Sequence, residues 1–266
     1  MTIKPKIGIA FGGGGIRGLA HIGIIQSLEK AGIKADMVSG TSIGSAIAAL
    51  YAAGNNADEL ARILPKLDFK NIFKPKVSRK GFIDGSGYAE IIRLLTHNKK
   101  IEELPIPLKI VTVDLVSGEK VVLESGPIAL AVQASSAIPG VFLPVSYGDK
   151  ILVDGYVLDD CPDDVLAEAG ADIIIAIDLD YKDNNSKPKN VIEIMNRALD
   201  IMSGIQLMSK ADLILDPITE PVGALEFSKA QLCLEMGQKE GERCIEEVKR
   251  LISKWQPENK NKFENN

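Results

Sequence analysis

Ile7-Gly8-Ile9-Ala10-Phe11-Gly12-Gly13-Gly14-Gly15-Ile16-Arg17-Gly18 decides how this chain folds. An apolar run, read as a strand over Lys6–Phe11, passes into four consecutive glycines, and a helical pattern over Arg17–Ala31 follows at once. Four glycines in a row lose more chain entropy than a plain turn demands. A strand, a glycine turn and a helix start also aim several backbone N–H groups at one point, which makes an anion site.

Outward from this unit the same alternation continues. Strands are expected at Asp36–Ser39, Leu108–Asp114, Lys120–Glu124, Lys150–Val153, Asp172–Asp178 and Asp212–Leu215. Runs such as Ile173-Ile174-Ile175 suit strands covered on both faces. Helices are expected at Ser42–Ala53, Asn56–Leu67, Tyr88–Thr96, Ile128–Ala137, Pro162–Ala169, Val191–Ser209 and Phe227–Lys254. Gly32 and Gly54 stand where two of them should stop, and Asn190 with Glu193 resembles a capping box. Strands alternating with helices predict an α/β protein with a mostly parallel central sheet. Asp68–Gly87 and Lys182–Lys189 read as excursions from it. No repeat and no linker interrupts the pattern, so one domain over residues 1–255 is expected, with a polar tail at 256–266.

Composition narrows the function. With 31 basic and 36 acidic residues among 266, the net charge of −5 argues against a nucleic-acid partner. Cys161, Cys233 and Cys244 form no CxxC pair, so no thiolate metal site is expected, and no cofactor is called for. No apolar stretch approaches the ~18 residues of a membrane span, and the expected location is the cytoplasm.

Two chemistries compete for the glycine loop. Gly13 to Gly18 fits GxGxxG, a dinucleotide fingerprint that wants an acid at the end of the second strand. Asp36 stands instead at that strand's start, which leaves a dinucleotide-binding oxidoreductase poorly supported. The alternative is an oxyanion hole, which needs a nucleophile nearby. Gly40-Thr41-Ser42-Ile43-Gly44 supplies GxSxG between a strand and a helix, the setting in which a serine hydroxyl is pushed out at a sharp turn. A serine needs a base, and Asp-Gly occurs at Asp84-Gly85 and at Asp154-Gly155. Asp84 precedes a helix in a polar loop, where capping explains it. Asp154 ends the apolar run Ile151-Leu152-Val153, at the strand end where open α/β sheets place their sites. His21 and His97 are the two histidines. His21 precedes the serine on a helix face with Ile24, Ile25 and Leu28, and His97 sits in a polar helix end. Neither suits a Ser-His-Asp triad in α/β-hydrolase order.

Taken together, Gly12–Gly18 with Leu19-Ala20-His21-Ile22-Gly23, then Gly40–Gly44, then Asp154-Gly155, resembles the patatin-like phospholipase family in its small bacterial form. The resemblance runs over roughly Lys6 to Asp178. It implies a three-layer α/β/α sandwich and a Ser-Asp dyad without histidine. It also implies hydrolysis of acyl esters in lipids, of phospholipase A or lysophospholipase type. Carried over, Ser42 is the nucleophile and Asp154 the proton acceptor. The N–H groups of Gly14, Gly15 and Arg17 form the oxyanion hole, with Gly13, Gly18, Gly40, Gly44 and Gly155 completing the motifs. The stretch Ala134–Gly140, with Phe142 and Pro144, resembles a further family block near the site. Two positions depart from the pattern: Tyr156 follows Asp154-Gly155 where the family usually has a small residue, and Asp160 stands where it often has Asn. A general carboxylesterase for soluble esters would use the same dyad. A catalytically silent lipid-binding protein would not need Ser42 and Asp154.

Two stretches bear on lipid. Lys66, Lys70, Lys74, Lys76, Arg79 and Lys80 interleave with Phe69, Ile72, Phe73 and Val77, and Phe82 follows. That composition suits peripheral contact with an anionic membrane, although a solvated loop with inward phenylalanines accounts for it too. Met195, Met202 and Met208 on the helix expected over Val191–Ser209 suit a core or an adaptable acyl-chain lid.

Overall fold

A computed structural model describes residues 4–73, 75–78, 81–181, 194, 197–198 and 208–257. Among these residues ten strands are placed: β1 (Ile7–Phe11), β2 (Met37–Thr41), β3 (Pro75–Ser78), β4 (Gly81–Ile83), β5 (Leu108–Asp114), β6 (Lys120–Leu123), β7 (Val145–Tyr147), β8 (Lys150–Asp154), β9 (Ile173–Ile177) and β10 (Leu213–Leu215). The helices are α1 (Leu19–Lys30), α2 (Ile43–Ala52), α3 (Ala57–Ile63), α4 (Phe69–Ile72), α5 (Ser86–Leu95), α6 (Ile128–Ser135), α7 (Asp164–Glu168) and α8 (Ala230–Lys254).

The main sheet runs β10-β9-β1-β2-β5-β8-β7, with β6 also on β5. From β10 through β5 every pairing is parallel, whereas β5 meets β6 and β8, and β8 meets β7, antiparallel. Strand residues alternate between two cores, as a period of two requires. Ile7, Ile9, Phe11, Val38, Ile175 and Ile177 face a large cluster that includes residues of α1, α2, α5, α6 and α8. Ala10, Met37, Ile174 and Ala176 face a smaller one with Leu166 of α7. The expected layered α/β/α architecture with a mostly parallel sheet is therefore the one observed.

One detail of register positions the site. Residues 108–111 of β5 pair with β2, 112–114 pair with β8, and 110–113 pair with β6. A strand has two edges, so β2 and β8 must share the one that β6 leaves open. They run toward each other along it. Thr41, the last residue of β2, lies opposite Val111, and Asp154, the last of β8, lies opposite Thr112. Two strand ends far apart in sequence thus meet head to head.

Several expected elements shift. The helix expected over Asn56–Leu67 ends at Ile63 and gives way to a 3-10 turn over Leu64–Lys66, because Pro65 has no N–H to continue it. The excursion Asp68–Gly87 holds α4 and the hairpin of β3 and β4. Short β7 is an addition to the expected strands, since Val145-Ser146-Tyr147 carries too little periodicity to announce it. Most of the helix expected over Val191–Ser209, its Asn190 and Glu193 start, Met195, Met202 and the stretch Lys182–Lys189 lie outside the described residues. Met208 and Ser209 are described, and both are exposed and non-helical, so that helix does not reach Ser209. No helix among the described residues is long and apolar enough to cross a membrane.

Candidate active site

Ser42 sits between β2 and α2 with φ 54° and ψ −126°, a backbone conformation that side chains other than glycine's rarely adopt. The turn is this sharp because glycine flanks it. A Cβ on Gly44 would lie 2.0 Å from the Phe11 carbonyl oxygen, and one on Gly40 would meet the Gly44 backbone at 2.5 Å. Three hydrogen bonds hold the turn or tie off its polar groups. Ser42 N–H donates to Ser135 Oγ at 2.9 Å, Ser135 Oγ donates to the Val111 carbonyl at 2.7 Å, and Ser45 Oγ donates to the Ser42 carbonyl at 2.6 Å. The Ser42 hydroxyl itself donates to Asp154 Oδ2 at 2.7 Å. The end-to-end meeting of β2 and β8 is what makes that contact.

Asp154 is 1% exposed and Ser42 7%. Burial pushes the Asp154 carboxyl up to about 7, against the opposing pull of the Tyr156 N–H and the Ser42 hydroxyl. A carboxylate that titrates near neutrality is a far better proton acceptor than an ordinary aspartate. Its second oxygen, Oδ1, accepts the Tyr156 N–H at 3.0 Å, so the carboxyl plane is pinned from both sides. Gly155 allows this close fit, since a Cβ there would lie 2.4 Å from the Val111 carbonyl oxygen.

The glycine loop lies directly against this turn. Ile43 fills the space where a Gly18 side chain would be. Gly12 N–H donates to the Ile177 carbonyl, Gly13 N–H to Asp160, and Ile16 N–H to the Ala224 carbonyl. Among the described residues, the N–H groups of Gly14 and Gly15 donate to no acceptor and are available to a bound anion. Gly14 has φ 142° and Gly15 φ 61°, which explains why both are glycine. Arg17 contributes through its side chain: Nε donates to the Gly14 carbonyl at 3.0 Å and the guanidinium lies 3.7 Å from Asp180.

The two departures from the family pattern fit together. The Tyr156 ring lies over Gly13, where an added Cβ would be 2.6 Å from it, and its hydroxyl donates to Asp180 Oδ1 at 3.0 Å. Tyr156 thus braces the glycine loop, while its N–H holds Asp154 Oδ1. Asp160 accepts the Gly13 N–H through Oδ1 at 3.0 Å, and burial together with Asp180 and Asp178 raises its carboxyl well above the usual range. Burial and the two neighbouring carboxylates thus favour the protonated form of Asp160, whose shape matches that of an asparagine. Asp160, Asp178 and Asp180 have carboxylate oxygens within 4.8 Å of one another, a spacing that could hold a cation. Gly13, Tyr156 and Arg17 already engage two of them, so the group also serves as the wall of the loop.

The remaining candidates fall elsewhere. His21 is fully buried with Nε2 2.8 Å from the Gly12 carbonyl oxygen, and burial lowers its pKa to about 4, so it supports the loop as a neutral ring. His97 is exposed beyond α5. Asp84 accepts the Ser86 N–H at the start of α5. Asp36 accepts the Ile7 N–H at the opposite end of the sheet from the glycines, where it could not reach a ribose held by them. Sequence reasoning does not single out Ser135, whose hydroxyl holds the Ser42 N–H; it lies within the block Ala134–Gly140, but nothing local marks its role.

The family model described as "Patatin-like phospholipase" matches residues 9–167. An uncharacterized NTE family protein of Mycobacterium tuberculosis is 33% identical over 220 residues, spanning 80% of this chain and 61% of that protein. Mouse patatin-like phospholipase domain-containing protein 6 is 34% identical over 187 residues, spanning 66% of this chain and 14% of that protein. This chain thus spans about three fifths of the mycobacterial relative's length. Among solved structures, VipD from Legionella pneumophila superposes with a TM-score of 0.63 at 13% identity, covering 92% of this chain and 67% of VipD, a likeness of fold.

Proposed function

Because the chain belongs to the patatin-like phospholipase family, we propose that it is a serine hydrolase of acyl esters in lipids, of phospholipase A or lysophospholipase type. The 2.7 Å hydrogen bond from Ser42 to Asp154 beside the glycine loop carries this proposal. Asp154 takes the hydroxyl proton as Ser42 Oγ attacks the ester carbonyl carbon. The carbonyl oxygen becomes an oxyanion, received by the N–H groups of Gly14 and Gly15 and kept in place by Arg17 through the Gly14 carbonyl. The intermediate collapses as the alcohol leaves with the proton from Asp154. Water then attacks the acyl-Ser42 ester, giving its proton to Asp154, and Ser42 regains that proton as the acid departs. Fluorophosphonate labelling with mass-spectrometric mapping tests the scheme: the label should sit on Ser42, and labelling elsewhere would overturn it.

Gly14→Ala should lower kcat about 10²–10³-fold with a smaller change in KM, the loss expected for one oxyanion donor. The reason is conformational: alanine disfavours φ 142°, and its methyl would press Leu179 at 3.0 Å, so the peptide must turn away. Steady-state kinetics on a chromogenic ester decide it. An effect confined to KM would mean that the loop only binds substrate.

Contact with an anionic membrane through Lys66, Lys70, Lys74, Lys76, Arg79 and Lys80 is the second part of the proposal. Lys66 is exposed on the turn after α3, and Phe73 packs inward against Tyr88 and Phe142, so the aromatics of this stretch do not all face outward. Binding should therefore be mainly electrostatic, requiring anionic vesicles and weakening as salt rises past the ~10 Å screening length at 0.1 M. Equal co-sedimentation with neutral vesicles would remove the basic stretch from the proposal.

A further inference from the structure

Beside the dyad lie two buried hydroxyls, close to each other and with no other partner among the described residues. The Tyr88 phenol oxygen and Ser136 Oγ are buried and make no hydrogen bond of normal geometry among the described residues. Buried polar groups are almost always paired, so such a pair calls for a function. Its position suggests one. Ser135, on one side of Ser136, accepts the Ser42 N–H at 2.9 Å, and Ala137, on the other, accepts the Asp154 N–H at 3.0 Å through its carbonyl. Ser136 is thus strung between the nucleophile and the base. Tyr88 is 9% exposed, and its ring is fixed by Phe73 at 5.7 Å, itself packed on Phe142 at 5.3 Å and Phe227 at 6.1 Å. Burial raises the Tyr88 phenol above its ordinary range; the nearby Ser136 hydroxyl works against this and the Asp154 charge with it, which puts both within electrostatic reach of Tyr88.

The hydrogen bonds at Asp154 change when Ser42 is acylated. In the free enzyme Oδ1 accepts from Tyr156 and Oδ2 from Ser42. Once Ser42 carries an acyl group, its Oγ has no hydrogen to give, and Oδ2 of a fully buried carboxylate is left without a donor. A water there can donate to Asp154, but it needs further partners to be held and aimed at the acyl carbon.

Building on the dyad proposed above, we infer that Tyr88 and Ser136 are positioning residues for the oxygen that enters and leaves beside Asp154: first the departing alcohol, then the water that replaces it. In acylation the carbon–oxygen bond of the ester breaks, and the alcohol oxygen takes its proton from Asp154 while held by the two hydroxyls. In deacylation the water oxygen bonds to the acyl carbon, its proton goes to Asp154, and the bond to Ser42 Oγ breaks as Oγ recovers that proton. Both hydroxyls are shut off from bulk solvent, so they favour a molecule exchanged within the site over one drifting in.

Tyr88→Phe and Ser136→Ala test this, since each removes an oxygen and leaves most of the packing. The measurements are fluorophosphonate labelling rate, the pre-steady-state burst of nitrophenol from a p-nitrophenyl acyl ester, and steady-state turnover. Nitrophenol leaves without needing a proton, so the burst rate isolates attack by Ser42. The expected result is labelling and burst rates near wild type with steady-state turnover about 10-fold lower, and acyl-Ser42 accumulating in intact-mass spectra. Turnover and acyl-enzyme levels equal to wild type in both variants would overturn the inference. So would labelling, burst and turnover falling in parallel, because that marks a structural support of the dyad. Absence of labelling in the wild type would instead remove the dyad proposal itself, and this one with it.

Discussion

Ser42→Ala is expected to reduce esterase turnover by roughly 10⁴–10⁶-fold, the scale on which loss of an activated serine acts. The specificity of that effect comes from what the other serines do with their hydroxyls. Ser39 donates to the Pro162 carbonyl, Ser45 to the Ser42 carbonyl and Ser135 to the Val111 carbonyl, so each is tied to an acceptor that takes no proton. Ser117 and Ser209 do meet carboxylates, those of Asp114 and Asp163, but both are exposed and neither follows a glycine elbow. Only Ser42 combines a carboxylate partner with the adjacent glycine loop among the described residues. Its backbone strain gives a second readout. At φ 54° and ψ −126°, an alanine in this position would be as strained as the serine, whereas a glycine would not. Ser42→Gly should therefore be inactive yet more stable than Ser42→Ala by about 1–3 kcal/mol in urea denaturation. Equal stability of the two variants would show that the elbow stores no strain.

Legibility in the sequence followed how local each signal was. The glycine loop, the elbow and the end of β8 could be read from runs of a few residues, because each is a strand end with its own turn chemistry. That Ser42 and Asp154 come within 2.7 Å could not, because it depends on β2 and β8 sharing one edge of β5, a matter of register. The bracing of Gly14 by the Arg17 side chain is not legible in the sequence, and the roles of Tyr156 and Asp160 depend on contacts with Gly13, far back in the chain. The buried hydroxyls of Tyr88 and Ser136 are invisible for the same reason. A tyrosine on an amphipathic helix looks like core until its oxygen is found beside the Ser136 hydroxyl and Asp154, with no hydrogen bond of normal geometry among the described residues.

Asp154→Asn should lower turnover by about 10²–10⁴-fold while making the protein more stable above neutral pH, and the two effects have one cause. Burial raises the Asp154 pKa from 3.8 to about 7, so the folded state holds this proton more tightly than the unfolded chain does. Stability from this group is therefore fully present below pH 3.8 and is lost as pH rises through 7. A displacement of that size makes the loss of order 4 kcal/mol. Activity moves the other way, because only the ionised form can take the Ser42 proton: kcat/KM should rise about tenfold per pH unit below 7 and level off above it. Asparagine keeps the shape and cannot ionise, so it should lose the activity and escape the stability loss. Other groups titrate in the same range. His21, lowered to about 4, destabilises the fold as pH falls below 6.5, and Asp159, raised to about 6, adds its own slope. Both are present in the variant as in the parent. The difference in unfolding free energy between the two proteins, measured in urea from about pH 4 to 8, therefore isolates Asp154. It should grow with pH in favour of Asp154→Asn, and a difference that stays flat would mean that Asp154 is ionised across the range and is not poised near neutrality. His97→Ala, at an exposed position, should leave both profiles unchanged, since the Ser42 hydroxyl donates directly to Asp154 with no imidazole between them.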